Sequence, residues 1–354
     1  MKIVNRGGPA ARAREDGARC PGSVDGAESP DSAAGRAEPA GSARDSTKRR
    51  TPRLFQALRV VLVPLLLLGM GNAVHDAAAP PPVTTAMGSP LPLEVNERVE
   101  YWARRFRTDQ RWAFQRLLSR KGAYEELIRS RLRGRGMPEE LLYLSMLEGG
   151  FSPGAVSSAS AVGLWQFMGP TAQEYGLRVD EWVDERRDPV RATDAALDYL
   201  QWLHDRYGSW YLAAAAYNAG PGRIDRVLNR HAGGRVGDDA LYWQIRAHLP
   251  FETREYVPRL VAATLLAEDA ESEGFEPGSA SAYRFDRVFV PGGTSLARVA
   301  RSLDVEPGAL RSLNPHLVAG VTPPDETYPV RVPVGTSPQV VASLSRKVRG
   351  RRTP

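Results

Sequence analysis

Cysteine is almost missing from this chain of 354 residues: Cys20 is the only one. The length suits two domains with a core large enough to stand without disulfide staples, and the chain has none to offer. Histidine is also sparse. His75, His204, His231, His248 and His316 lie scattered without metal-ligand spacing, so no metal site is indicated. No phosphate loop and no dinucleotide fingerprint occurs, and no cofactor is expected. Excess positive charge is missing where it would matter. The net charge is +6, but residues 80 to 340 hold 30 basic and 33 acidic side chains. The surplus sits in residues 1 to 79 and in an Arg-rich tail, so the footprint of a nucleic-acid binder is absent from the body.

Long apolar runs are equally rare. One is conspicuous, Val60 to Leu68, interrupted by Pro64, preceded by Lys48, Arg49, Arg50 and Arg53, and followed by small residues. A basic flank, a short apolar stretch and small residues make the layout of a secretory signal. The run is short for a spanning helix. Residues 54–79 are therefore read as a signal peptide or membrane anchor, and the body as exported to the cell envelope, the periplasm, with an anchor through residues 54–73 left open. No cysteine follows Leu68, which argues against lipid anchoring. Residues 1–53 have almost no large apolar side chains and read as an unfolded extension or as the product of a start assigned too early.

Residues 80–92 read as a Pro-rich linker. From Leu93 helical periodicity sets in: Val95, Val99, Trp102 and Phe106 recur at spacings of four, three and four. These are scaffold helices. Met137-Pro138-Glu139-Glu140 restarts a helix with proline and acids in its first turn. The segment that follows, Leu141 to Leu147, is apolar on nearly every face and hence central. It ends in Glu148, with Gly149-Gly150 as a stop. Asp188-Pro189 starts a helix to about Tyr207, Trp210 to Gly222 contains another rich in alanine, and Pro250 to about Ala270 is the last of a domain spanning 93–270. Residues 271–282 read as a second linker, 283–335 as a compact βααβ module, and 336–354 as a basic, solvated tail.

Glu148 carries the strongest chemical signal. Apolar burial disfavours carboxylate, and the negative end of the helix dipole adds to that penalty. A carboxyl placed there is set to hold a proton at neutral pH, as a general acid must. Downstream, Trp165 and Gln166 supply an aromatic ring and an amide, the groups that stack on and hydrogen-bond to sugars. Singly, each is more often core or packing.

The joint order of Glu148, Ser157, Gly163-Leu164-Trp165-Gln166-Phe167-Met168, Thr171-Ala172, Ala216-Tyr217-Asn218-Ala219-Gly220 and Glu252 through Pro258 resembles the catalytic domain of the family 1 lytic transglycosylases. The resemblance covers about Leu93 to Gly335. It implies a mainly α (α+β) architecture: a goose-type lysozyme-like domain followed by a small βααβ module similar to LysM. It also implies Glu148 as the single acid/base, with Ser157, Gln166, Met168, Tyr217, Asn218 and Tyr256 lining a groove for peptidoglycan glycan strands. The family reaction cuts the MurNAc–GlcNAc β-1,4 bond without water and leaves 1,6-anhydroMurNAc. A hydrolytic muramidase and an inactive wall-binding protein stand as alternatives. Association with the inner or outer membrane stays open.

Two departures from the family pattern stand out. Gly149 occupies a position where serine is usual, losing a hydroxyl beside the acid. In the rear module, Pro291-Gly292-Gly293-Thr294-Ser295-Leu296 and Leu313-Asn314-Pro315 resemble LysM turns, but Gly293 replaces the usual acid and Pro323-Pro324-Asp325 alters the last turn. Glycan binding and simple packing are equally open for it.

Overall fold

The computed structural model describes residues 90–276, 278 and 280–349. The export segment, the N-terminal extension and most of the Pro-rich stretch lie outside them. The last residues of that stretch are anchored: Leu91 is buried, and the Tyr211 hydroxyl donates to the Pro92 carbonyl.

Helix α1 (Glu97–Arg107) begins at Asn96, whose Oδ1 accepts from the backbone N–H groups of Arg98 and Val99. Its acids sit in the first turn, and Arg104, Arg105 and Arg107 in the last, in line with the helix dipole. Its buried face is Val99, Trp102, Ala103 and Phe106, as the sequence spacing predicts. α2 (Arg111–Gly134) packs beside it. A short 3-10 turn, Glu139–Leu141, leads into α3 (Leu142–Gly149), which the left-handed Gly150 terminates at φ 56°. α3 is buried on nearly all sides, as its composition requires.

A long loop runs to α4 (Gly169–Glu174), and a turn at Glu185–Arg187 precedes α5 (Pro189–Tyr207). α6 (Trp210–Ala219) is wrapped by neighbours, its alanines allowing close approach to α5 and α9. α7 (Pro221–Ala232) and α8 (Ala240–Ile245) lead to α9 (Phe251–Glu268). α9 tolerates Pro258 in its interior because the carbonyl that Pro258 cannot serve, on Arg254, accepts instead from the Tyr242 hydroxyl at 3.0 Å and from Arg246 Nε at 2.7 Å. Glu255, buried, accepts from Trp102 Nε1 at 2.8 Å and pairs with Arg98 and Arg246, tying α9 to α1.

The stretch expected to be a linker packs along α2. Phe275 is buried against Phe114, and a Cβ on Gly278 would lie 2.5 Å from the Leu118 carbonyl oxygen. The module behind it has β1 (Asp286–Val290), α10 (Leu296–Leu303), α11 (Pro307–Leu313) and β2 (Tyr328–Val332). β1 and β2 pair antiparallel with Val288 opposite Val330. The structure adds a further element: α12 (Ser337–Arg349) lies where a solvated tail was expected. Val340, buried in the module core, holds it there, an apolar anchor that the surrounding arginines obscure in the sequence.

Candidate active site

Glu148 stands one residue before the end of α3 and is half-buried there, with protein surrounding most of its carboxyl group. That enclosure pushes its pKa from 4.5 up to about 7. The hydrogen bond from Tyr256 and the charge of Arg259 pull the other way, and the Glu252 carboxylate adds to the rise. Burial is the largest of these effects and decides the direction. The Tyr256 hydroxyl donates to Glu148 Oε1 at 2.6 Å. Tyr256 lies on α9, which packs directly against α3. Its own ionisation is pushed far up by burial and by the neighbouring Glu148, so it is a donor at any ordinary pH.

The Tyr217 hydroxyl, near the end of α6, donates to the Trp165 carbonyl oxygen at 2.8 Å, and its pKa too is raised by burial and by Glu148. Asn218 beside it accepts from Thr253 Oγ1 at 2.8 Å and donates to Glu252 Oε1 at 3.3 Å, linking the end of α6 to the start of α9. The loop from Val156 to Phe167 packs onto the end of α3 through the carbonyls of Gly163 and Leu164. Ser157 Oγ accepts from the Ala161 N–H at 3.0 Å, closing a tight turn. Gln166 takes a positive φ of 49°, and its Nε2 donates to the Gly163 carbonyl at 2.9 Å, which leaves its amide oxygen for another donor. Met168 follows with 44% of its surface exposed.

Trp165 does not face the groove. Its ring is fully buried and Nε1 donates to Thr193 Oγ1 at 3.0 Å on α5, so of its two readings packing in the core holds and sugar stacking does not. An indole with a buried partner for its N–H belongs to the core; only its carbonyl serves the site. Gly149 also acquires a reason beyond a missing hydroxyl. A Cβ there would lie 2.3 Å from the Gly163 carbonyl oxygen and 2.7 Å from that of Leu164, so glycine lets the loop close onto α3. Ser145, one turn earlier, donates to the Leu164 carbonyl at 3.1 Å and seals the same contact.

Sequence reasoning passed over Arg259 and did not single out Glu252 electrostatically. Glu252, Tyr256 and Arg259 follow at spacings of four and three on α9, the stripe that faces Glu148, and that periodicity was the available signal. Arg259 is largely enclosed, its Nε lacks a protein partner, and its guanidinium lies 5.0 Å from the Trp102 ring centroid. The sequence could not show that His231 and His248 stack at 3.6 Å on the outer face of the domain.

A mostly helical domain with a carboxyl of raised pKa at a helix end, followed by a small module with two strands, defines a class. Residues 127–235 match the transglycosylase SLT domain. Residues 284–348 match the LysM-like domain of the lytic transglycosylase MltD. The chain is 33% identical over 194 residues to membrane-bound lytic murein transglycosylase D of Escherichia coli strain K12, covering 54% of this chain and 42% of that protein. It is 30% identical over 147 residues to the soluble lytic murein transglycosylase of the same strain, covering 40% and 22%. It thus spans less than half the length of these curated relatives. The crystal structure of the 70 kDa soluble lytic transglycosylase from Escherichia coli aligns with a TM-score of 0.37 at 24% identity, over 51% of this chain and 32% of that one.

Proposed function

We propose that the protein is a peptidoglycan lytic transglycosylase that cuts the MurNAc–GlcNAc β-1,4 bond and leaves a 1,6-anhydroMurNAc end, with Glu148 as its single acid/base. The observation that carries this reading is Glu148 itself: a carboxyl at a helix end whose pKa is pushed up to about 7 by burial and which accepts a hydrogen bond from Tyr256. The names of the relatives, lytic murein transglycosylases, support the same substrate class.

In the proposed reaction the Glu148 carboxyl gives its proton to the glycosidic oxygen as the C1–O bond breaks, and the GlcNAc residue leaves with a free hydroxyl. The substrate's N-acetyl group stabilises the cation developing at C1. The Glu148 carboxylate then takes the proton of the C6 hydroxyl while that oxygen bonds to C1. The enzyme returns to its protonated form, so one carboxyl serves both steps. An internal nucleophile outcompetes water through its effective concentration. Ser157, Gln166, Met168, Tyr217 and Asn218 are assigned to lining the glycan groove, and Tyr256 to holding Glu148 as well as closing one side. Peptidoglycan strands are the partner, and the cell envelope is the assigned location.

Digestion of purified sacculi followed by mass spectrometry of the muropeptides tests this. Anhydro ends are the expected product; reducing MurNAc ends would mean hydrolysis, and a folded protein that yields no soluble product would mean a wall-binding protein.

A further inference from the structure

The module behind the SLT domain is joined to it by buried chemistry rather than by a tether. Arg331 on β2 reaches across to Asp188, the residue that caps α5. Arg331 Nη2 lies 2.8 Å from Oδ1 and 2.7 Å from Oδ2, and both side chains are almost fully buried. Asp188 Oδ1 also accepts from the N–H groups of Val190 at 2.8 Å and Arg191 at 3.1 Å. Arg331 is held in turn: its Nη1 donates to the Tyr283 hydroxyl at 2.9 Å, and Asn314 bridges its backbone N–H and carbonyl at 2.8 Å each. A second seam lies a few residues earlier. Asp184 N donates to the His316 carbonyl at 2.9 Å, Val318 N donates to the Trp182 carbonyl at 3.2 Å, and Val183 is buried in the module's own core. The segment 182–188 is therefore clamped at both ends by the module.

That segment supports the groove wall. Arg186 Nη1 donates to the carbonyls of Ser160 at 3.2 Å and Phe167 at 3.5 Å, and its Nε bonds Asp184 at 2.8 Å. The Arg186 backbone presses on the loop so closely that a Cβ on Gly163 would lie 1.9 Å from its carbonyl oxygen. The same loop presents Gln166 and offers the Trp165 carbonyl to Tyr217.

We propose that Arg331 is a positioning residue for the lytic site: through Asp188 and the segment 182–188, the LysM-like module fixes the loop 160–168 that packs onto the end of α3. On this view the module is a part of the active-site scaffold. Its first LysM-like turn is also closed against residues 320–322. Leu296 N donates to the Gly320 carbonyl at 2.8 Å, Thr294 N to Thr322 Oγ1 at 3.0 Å, and Thr322 N to the Thr294 carbonyl at 3.0 Å.

The proposal rests on the transglycosylase reading, and the full chain tests it with Arg331→Met, Arg331→Lys and Tyr283→Phe. Release of anhydro ends is measured on soluble glycan fragments for kcat and KM, alongside pelleting with sacculi. Displacing a positioned wall by a fraction of an ångström costs about tenfold in kcat, so Arg331→Met should lose about that factor, with Arg331→Lys between it and the wild type. Pelleting should stay within about a factor of two of wild type, since the lining side chains remain. A folded Arg331→Met with full kcat overturns the proposal, whatever its melting temperature. Lost pelleting with unchanged kcat also overturns it, making the module a tether. If Arg331→Met does not fold, wild-type kcat in both milder variants is the overturning result. Wild-type protein that makes no anhydro ends would defeat the functional reading itself, an outcome separate from any of these.

Discussion

In the proposed mechanism Glu148 bears opposing demands: it must hold a proton until the glycosidic bond breaks and then function as a base. Its raised pKa has a stability consequence whose sign is fixed. A carboxyl whose folded pKa lies at about 7 against 4.5 unfolded favours folding fully below about pH 4.5 and loses that contribution as pH rises through 7. Glu148→Gln should therefore melt like the wild type at pH 4 and at a higher temperature at pH 8, with a gain of at most about 3 kcal/mol from the size of the shift. Calorimetry at the two pH values checks this; equal melting at pH 8 would mean that burial does not disfavour the carboxylate. The same variant should lose roughly 10²–10⁴-fold in turnover. For Tyr256→Phe, removing a donor that lowers the acid's pKa should move the alkaline limb of kcat/KM upward while reducing its height. Glu252→Gln removes a charge that raises that pKa, so its limb should move downward with activity retained. Loss of all activity in Glu252→Gln would instead give that carboxylate a part in the chemistry, as a two-carboxylate hydrolase requires.

At the scale of elements, the acid is only as well placed as the contact between α3 and the loop that crosses its end. Gly149→Ser would restore the residue usual at that position, yet here its Cβ would meet two carbonyl oxygens well inside contact distance. Backbone atoms cannot rotate away as a flexible side chain can, so the substitution should cost about 1–3 kcal/mol and lower turnover as the loop is displaced. Urea unfolding of Gly149→Ser against the wild type reads this directly; an unchanged midpoint would show that the loop has room to spare. The helices that frame this contact were legible in the sequence, because an apolar run ending in Gly149-Gly150 and an Asp-Pro start at residue 188 are local signals. Glu148 was legible for the same reason. The choice for Trp165 between core and sugar stacking stayed open because its partner, Thr193, lies 28 residues away, and no periodicity tells which side of a loop an indole will take. The value of Gly149 was equally hidden, being set by backbone that arrives from residues 163 and 164.

On the scale of the whole molecule, the chain reads as two patterns, helical and then βααβ, yet the two share buried groups. Val183 belongs by sequence to the helical domain and by packing to the module's core, while Arg331 belongs to the module and completes the cap of α5. Burial raises the cost of the Asp188 charge, and the Arg331 guanidinium more than offsets it, so the carboxyl lies below its usual range. His316, against the same carboxylate, is pushed down to about 4 by burial and is neutral at pH 7. Removing one member of a buried pair leaves the other uncompensated, at a cost of about 3–5 kcal/mol. Residues 90–349 should accordingly unfold in one cooperative calorimetric transition, with the calorimetric enthalpy equal to the van't Hoff value. Asp188→Asn and Arg331→Met should each lower that transition, and the double variant should lose much less than the sum, because the two side chains form one interaction. Two resolved transitions in the wild type, or additive losses in the double variant, would show that the module and the SLT domain are energetically separate.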